Sequence, residues 1–321
     1  MDARITSIGT TRRVVEPQED VVSSSPPEAP SPRFGAPLPR LEDRELVTGA
    51  ARFTADLDLA VLDGALHAAF VRSPVAAGDL VDVDATAAAR EPGVVAVLTG
   101  SDLAADRSVA NVAPFSTAFG EDLGQPLLPV DRVGFAGQAL AVVVAETPAL
   151  AADAAETVVV DIGPTEPLLD LDAALAAGGD PGSRFASGSP TLAGSPTGSA
   201  AEPGDAGSGD GPIIVSLTQW SPRQLPASIE ARSIAAAVDG DRLRIWAATQ
   251  TPHAFRAGLA MVLGLATEQI SVIAPAVGGG FGGKTSRSAE EFLVAILARR
   301  LGRPVRWDET RSEYFATATQ G

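Results

Sequence analysis

The sequence predicts a mixed α+β protein built in two blocks. Three observations carry that prediction. Short apolar runs rich in β-branched residues, such as 139–145 and 270–274, recur along the chain. They alternate with stretches whose apolar positions repeat every three to four residues, and these are the periods of strand and helix. A stretch at 179–212, dominated by Gly, Ser, Pro, Ala and Asp, interrupts this texture and divides it into 34–178 and 213–321.

The chain opens with 33 residues that hold Ser23-Ser24-Ser25-Pro26-Pro27 and Pro30-Ser31-Pro32 without sustained periodicity, the composition of a disordered tail. In the first block, 64–74 reads as a strand ended by a turn, and 81–84 alternates like a half-exposed strand. Residues 85–90 suit a short helix closed by Pro92-Gly93, and 94–98 is a further strand. Residues 99–102 form a turn or a helix start. The continuous apolar run 139–145 is a strand. Thr147-Pro148 supplies an N-cap and a first-turn proline for a helix over 149–156, and 157–162 is again a strand. The 179–212 stretch lacks the apolar density for a core and reads as a flexible linker or inserted loop.

In the second block, strands at 233–238 and 243–247 flank Asp239-Gly240-Asp241, a hairpin signal. The polar loop 249–253 leads to a helix over 254–263 stopped by Gly264. The segment 269–302 is the centre of the reading. A short strand enters a loop with five glycines in six residues, Gly278-Gly279-Gly280-Phe281-Gly282-Gly283, followed by Lys284. A helix follows, with Phe292, Leu293, Ile296, Leu297 and Leu301 on one face, Arg299 and Arg300 in the last turn and Gly302 at the cap. The final stretch after 310 shows no apolar closure, so the second block reads as cut short.

Composition narrows the function. A chain of 321 residues has room for one large domain or two ordinary ones. Hydrophobic residues make up 45% and aromatics only 5%, so the core is mainly Ala, Val and Leu. A net charge of −16 argues against a nucleic-acid binder, which needs clustered Lys and Arg. With no cysteine there is no disulfide, no Cys-ligated zinc and no Cys-held iron–sulfur cluster. Electrons from any redox step must therefore leave through another cofactor or chain. No apolar run approaches the ~20 residues of a membrane helix. Arg12-Arg13 is not followed by an apolar segment, and the chain reads as cytoplasmic.

The glycine loop leaves two readings open. Gly278, Gly280 and Gly283 satisfy Gly-X-Gly-X-X-Gly between a strand and a helix, and the next strand, 304–307, ends at Asp308-Glu309. That pattern suits a dinucleotide-binding unit whose backbone N–H groups close on phosphate. A plain structural turn uses the same residues. His67 and His253 are far apart and do not make a metal site, and Gln138 reads as a turn polar group.

The segments together resemble the molybdenum-binding large subunit of the molybdenum hydroxylases: xanthine dehydrogenase, aldehyde oxidase and aerobic carbon monoxide dehydrogenase. The likeness is carried by residues 40–49, 52–57, 64–74, 92–103 and 133–147 in the first block, and by 247–253 and 272–284 in the second. Their order and spacing override the dinucleotide reading. The resemblance implies an α/β-hammerhead domain followed by the truncated first part of a molybdopterin-cofactor-binding α+β domain. It implies a molybdenum–molybdopterin cofactor, in the cytosine dinucleotide form, beside Gln250, Gly279, Gly280, Phe281, Gly282 and Gly283. Chemistry agrees: such a cofactor is anionic, bulky and rigid, and a loop without Cβ atoms lets backbone donors reach it. Gln250 would hydrogen-bond a ligand oxygen on the metal without adding charge.

Phe281, Glu230 and Arg232 would border the substrate pocket. The family's Glu-Pro-Arg is here Glu230-Ala231-Arg232, with Ile229 where methionine is common, so a fixed φ is lost. Thr285 stands where purine-oxidising relatives place a glutamate, which argues against a xanthine substrate. The family's catalytic glutamate comes from sequence beyond residue 321, so no catalytic residue is assigned here. The implied enzyme oxidises aldehydes or heteroaromatic small molecules with water as oxygen source. Iron–sulfur and FAD subunits are its partners, a separate chain can supply the rest of the large subunit, and this chain alone would be inactive. Two rivals stand beside it: an NAD-binding dehydrogenase, and a non-catalytic assembly partner of iron–sulfur and flavin subunits.

Overall fold

A computed structural model of the chain describes residues 40–106, 112–114, 124–167, 169, 224–285 and 288–318. The expected tail at 1–33 and linker at 179–212 lie outside them. The chain divides into two units, 1–50 and 51–321. In the first, helix α1 (Asp43–Thr48) ends at Gly49, whose φ of +71° makes the left-handed cap that glycine adopts without steric cost.

The second unit begins with β1 (Leu66–Arg72), β2 (Gly78–Asp84), β3 (Val94–Thr99), α2 (Gly100–Ala105), β4 (Val112–Pro114) and β5 (Gly124–Pro126). It continues with β6 (Arg132–Val133), β7 (Ala139–Ala145), α3 (Pro148–Glu156) and β8 (Val159–Pro164). After 224 come β9 (Ser233–Asp239), β10 (Arg242–Ala247), α4 (Pro252–Leu263), β11 (Ile270–Ile273), α5 (Ala289–Leu301), β12 (Val305–Asp308) and α6 (Arg311–Thr317).

Caps act where the sequence placed them. Thr99 and Asp102 exchange hydrogen bonds at the head of α2, and Thr147 accepts from Leu150 N ahead of Pro148. The helix expected over 85–90 does not form. The Asp84 carboxylate accepts from Thr86 N at 2.9 Å, which turns the chain, and only a 3-10 turn, Ala88–Arg90, remains. Six residues with a competing side-chain acceptor are too few to nucleate an α-helix.

The main sheet has seven strands in the order β11-β10-β9-β12-β1-β7-β3. The sequence divides the chain at 179–212, but this sheet takes strands from both sides of that stretch. The junction is the parallel pair β1–β12, with Leu66 opposite Val305 and His67 opposite Arg306. A second sheet, β6-β2-β8, is antiparallel. Strand β7 is apolar without alternation because both its faces are covered. Val142 and Val144 belong to the largest core cluster, while Val143 and Leu140 pack in two others.

Helix α5 runs through the largest cluster, with Phe292, Leu293, Val294, Ala295, Leu297 and Ala298 wholly buried. Phe292 meets Phe255 of α4 edge to face at 5.5 Å. Beyond 310 the chain forms α6, which Thr310 caps with Glu313. Tyr314 is fully buried there, although the sequence shows no apolar run at this end. Strands β11 and β12 are separated by β10 and β9. A dinucleotide-binding unit would instead pair the strands before and after its helix.

Candidate functional site

The glycine loop leaves β11 and folds back on two partners. Gly278 N donates to Glu230 Oε2 at 2.7 Å, and Gly278 O accepts from Glu230 N at 3.2 Å. Gly282 N and Lys284 N donate to Gln250 Oε1 at 3.1 and 3.3 Å, and Gln250 N donates to Lys284 O at 3.0 Å. Gly283 N donates to Gly280 O at 2.8 Å, and Thr285 N and Oγ1 donate to Gly282 O at 3.2 and 2.6 Å. The N–H groups of Gly279, Gly280 and Phe281 are left without a partner among the described residues. Unpaired consecutive amides form an anion-binding concavity.

The glycines divide by task. A Cβ on Gly278 would lie 2.5 Å from Glu230 Cβ, on Gly280 2.3 Å from Gln250 Cδ, and on Gly283 2.7 Å from Pro226 Cγ. These three spaced positions allow close approach. Gly279 instead supplies a φ of +94°. Phe281 shares the left-handed region at φ +50° and is 76% exposed, so it is strained and packs in no core.

Gln250 sits after β10, where Ala248 N donates to Ser233 O and the chain turns out of the sheet. Two N–H donors converge on one end of its amide. That end is the oxygen, and the Nε2 donors remain available. The structure therefore brings Gln250, Gly279, Gly280, Phe281, Gly282 and Gly283 together across a sequence gap of about thirty residues.

Glu230 is placed beside them but turned inward. Its carboxylate binds Gly278 N and the Lys284 ammonium, the latter at 2.8 Å, with the lysine side chain fully buried. Its other oxygen, Oε1, is buried with no hydrogen-bond partner among the described residues. The loop holding Glu230 is tied down by side chains. Arg311 donates to Ser228 O at 2.7 Å and to Ile229 O, and Ser228 Oγ donates to Glu230 O at 2.8 Å. Tyr314 OH lies 3.2 Å from Ser228 Oγ.

Arg232 belongs to another cluster. Its Nε donates to Glu309 Oε2 at 3.0 Å, a second nitrogen pairs with Glu309 Oε1 and donates to Thr317 Oγ1 at 2.5 Å, and Glu290 lies 3.9 Å away. Arg72 joins from β1, 2.6 Å from Glu290 and 2.9 Å from Glu313. Burial disfavours the charge on Arg232, but the Glu290 and Glu309 carboxylates outweigh it and hold the guanidinium above its ordinary value. Burial likewise works against the Glu290 charge, but Arg232 and Arg72 overcome it and bring the carboxyl down to about 2. Glu291 next to it is pushed up by burial.

Sequence reasoning missed Lys284, Ser228, Arg311, Tyr314 and the Arg72–Glu290–Glu309 cluster. One signal was present for Lys284: among 24 basic residues it is the single lysine in the chain. Gln138 is a buried turn group as read, accepting from Gly134 N at 2.8 Å. His67 is half-buried, and burial followed by the Arg306 charge lowers its pKa.

Comparison with known proteins gives two domain matches. Residues 48–166 match the family described as aldehyde oxidase and xanthine dehydrogenase, a/b hammerhead domain. Residues 200–321 match the molybdopterin cofactor-binding domain. The nicotine 6-hydroxylase large subunit of Paenarthrobacter nicotinovorans is 33% identical over 290 residues, covering 87% of this chain and 34% of the relative. The carbon monoxide dehydrogenase large chain of Hydrogenophaga pseudoflava is 30% identical, covering 86% and 35%. In structure, quinoline 2-oxidoreductase from Pseudomonas putida 86 superposes with a TM-score of 0.71 at 34% identity, covering 88% of this chain and 35% of that one. The chain spans about a third of the length of the curated relatives it matches.

Proposed function

Because the chain belongs to the family of molybdenum hydroxylase large subunits, with a hammerhead domain followed by part of a molybdopterin cofactor-binding domain, we propose that it forms the face of such a subunit that grips the metal–pterin cofactor. The supporting observation is the set of unspent donors. The N–H groups of Gly279, Gly280 and Phe281 lie on one loop, and Gln250 is fixed so that its Nε2 donates. The residues fit an anionic group. Gly280 lets Gln250 stand close against the loop, and the donors carry no formal charge. When bound, the cofactor supplies two-electron redox chemistry and the transfer of an oxygen that originates in water. The chain's part is to bind and orient: loop amides and Gln250 donate, and the exposed Phe281 ring walls the substrate side.

The substrate is an aldehyde or a heteroaromatic small molecule. Thr285, whose hydroxyl donates back to Gly282 O, offers a purine no carboxylate. Iron–sulfur and FAD subunits accept the electrons, the cofactor is the cytosine dinucleotide form, and none of the described residues is assigned as the base that deprotonates the attacking oxygen.

The test is to purify the full chain from a host that makes the cofactor and to measure molybdenum and pterin. The wild type is expected to carry both and Gly280→Val neither, with both proteins folded by circular dichroism. A wild-type chain that folds, joins iron–sulfur and flavin subunits and carries no molybdenum would establish the assembly-partner reading in its place. Micromolar NAD binding by calorimetry, lost in Gly280→Val, would establish the dehydrogenase.

A further inference from the structure

The one lysine of the chain is also one of its most deeply buried charges. All 23 other basic residues are arginine, yet position 284 holds a lysine whose side chain is 0% exposed. An ammonium is compact, whereas a guanidinium is a wide planar fork. Position 284 is therefore a slot for a small cation. Its Nζ lies 2.8 Å from Glu230 Oε2, and that same oxygen accepts from Gly278 N at 2.7 Å. The backbone of Lys284 meanwhile binds Gln250 through both its N–H and its carbonyl. One residue thus ties down both ends of the glycine loop, through Glu230 at Gly278 and through Gln250 at Gly282 and Lys284. The segment between, 279–281, carries the unpaired amides.

We propose that Lys284 and Glu230 form a latch that holds the glycine loop with the Gly279, Gly280 and Phe281 amides free for the ligand. Both act as positioning residues and touch no substrate. The inference rests on the proposed cofactor site for its purpose but not for its geometry. A loop that must keep three donors unpaired needs its remaining amides anchored strongly, or it would close on its own carbonyls. A carboxylate shared between a backbone N–H and a buried ammonium is such an anchor, since charge-assisted bonds are the stronger kind.

Three variants of the full, cofactor-free chain separate latch from ballast: Lys284→Met, Glu230→Gln, and the two combined. Amide hydrogen exchange is followed at Gly278, Gly282 and Lys284, with Tm alongside. Lys284→Met is expected to speed exchange at Gly278 about tenfold or more and to lower Tm, because a carboxylate is left buried without its cation. Glu230→Gln keeps an acceptor for Gly278 and falls between. In the double variant no unpaired charge is buried, so Tm returns towards wild type while loop exchange stays fast. Loop exchange that is unchanged, or that recovers together with Tm in the double variant, overturns the proposal. Molybdenum retention gives the second arm. A wild-type chain that retains none removes the cofactor reading and leaves the exchange result to decide the latch. A wild type that retains it while Lys284→Met retains as much removes the latch.

Discussion

Gly280→Ala probes the contact on which the site is built. A Cβ at this position would sit 2.3 Å from both Cδ and Oε1 of Gln250 and 2.7 Å from its Cγ. Backbone cannot yield here easily, because Gly280 O accepts from Gly283 N at 2.8 Å. The exposed Gln250 side chain swings out instead. It then abandons Gly282 N and Lys284 N. Two hydrogen bonds at ~0.5–1.5 kcal/mol each put the cost at about 1–3 kcal/mol. Gln250→Ala loses the same two bonds without a clash and should cost about as much. The cycle decides between explanations: with Gln250 already truncated, Gly280→Ala should change stability by less than ~0.5 kcal/mol, a strongly non-additive result. Urea unfolding of the four proteins, with unchanged m-values, measures it. If the two costs simply add, the alanine clashes with something other than Gln250, and the close approach of loop and glutamine is not what requires glycine at 280.

Other expectations follow from the same contacts. Glu290 titrates at about 2 when folded against 4.5 for the free group, so its contribution is present above pH ~4.5 and is lost as pH falls towards 2. The difference corresponds to about 3 kcal/mol, and Glu290→Gln should flatten the acid limb of stability measured by urea unfolding from pH 7 to 3. An unchanged slope would remove Glu290 from that role. Phe281→Asn should leave Tm the same or raise stability by up to ~1 kcal/mol, since an exposed aromatic gives way to a residue that tolerates φ > 0. A clear loss of Tm would show that the ring packs. Phe292→Ala empties the centre of the main core against Phe255 and should cost about 3–5 kcal/mol by the same urea measurement.

The sequence alone determined the longer strands, the helices α3, α4 and α5, and the place of the glycine loop. Periodicity, caps such as Thr147, and stops such as Gly264 and Gly302 act within a few residues, so they can be read from neighbours. It failed at 85–90, where Asp84 competes for the backbone, and it did not show α6, where Tyr314 is buried.

Tertiary structure decided which polar groups are spent and which are left over. Glu230 and Arg232 stand two residues apart, yet one is tied to Lys284 and the glycine loop and the other to Glu309 and Glu290. The sheet that joins both halves rests on two residue pairs between β1 and β12. These outcomes depend on partners tens to hundreds of residues away. Their proximity is set by packing, and no local pattern encodes whether a buried donor or acceptor will find a mate or remain free for a ligand.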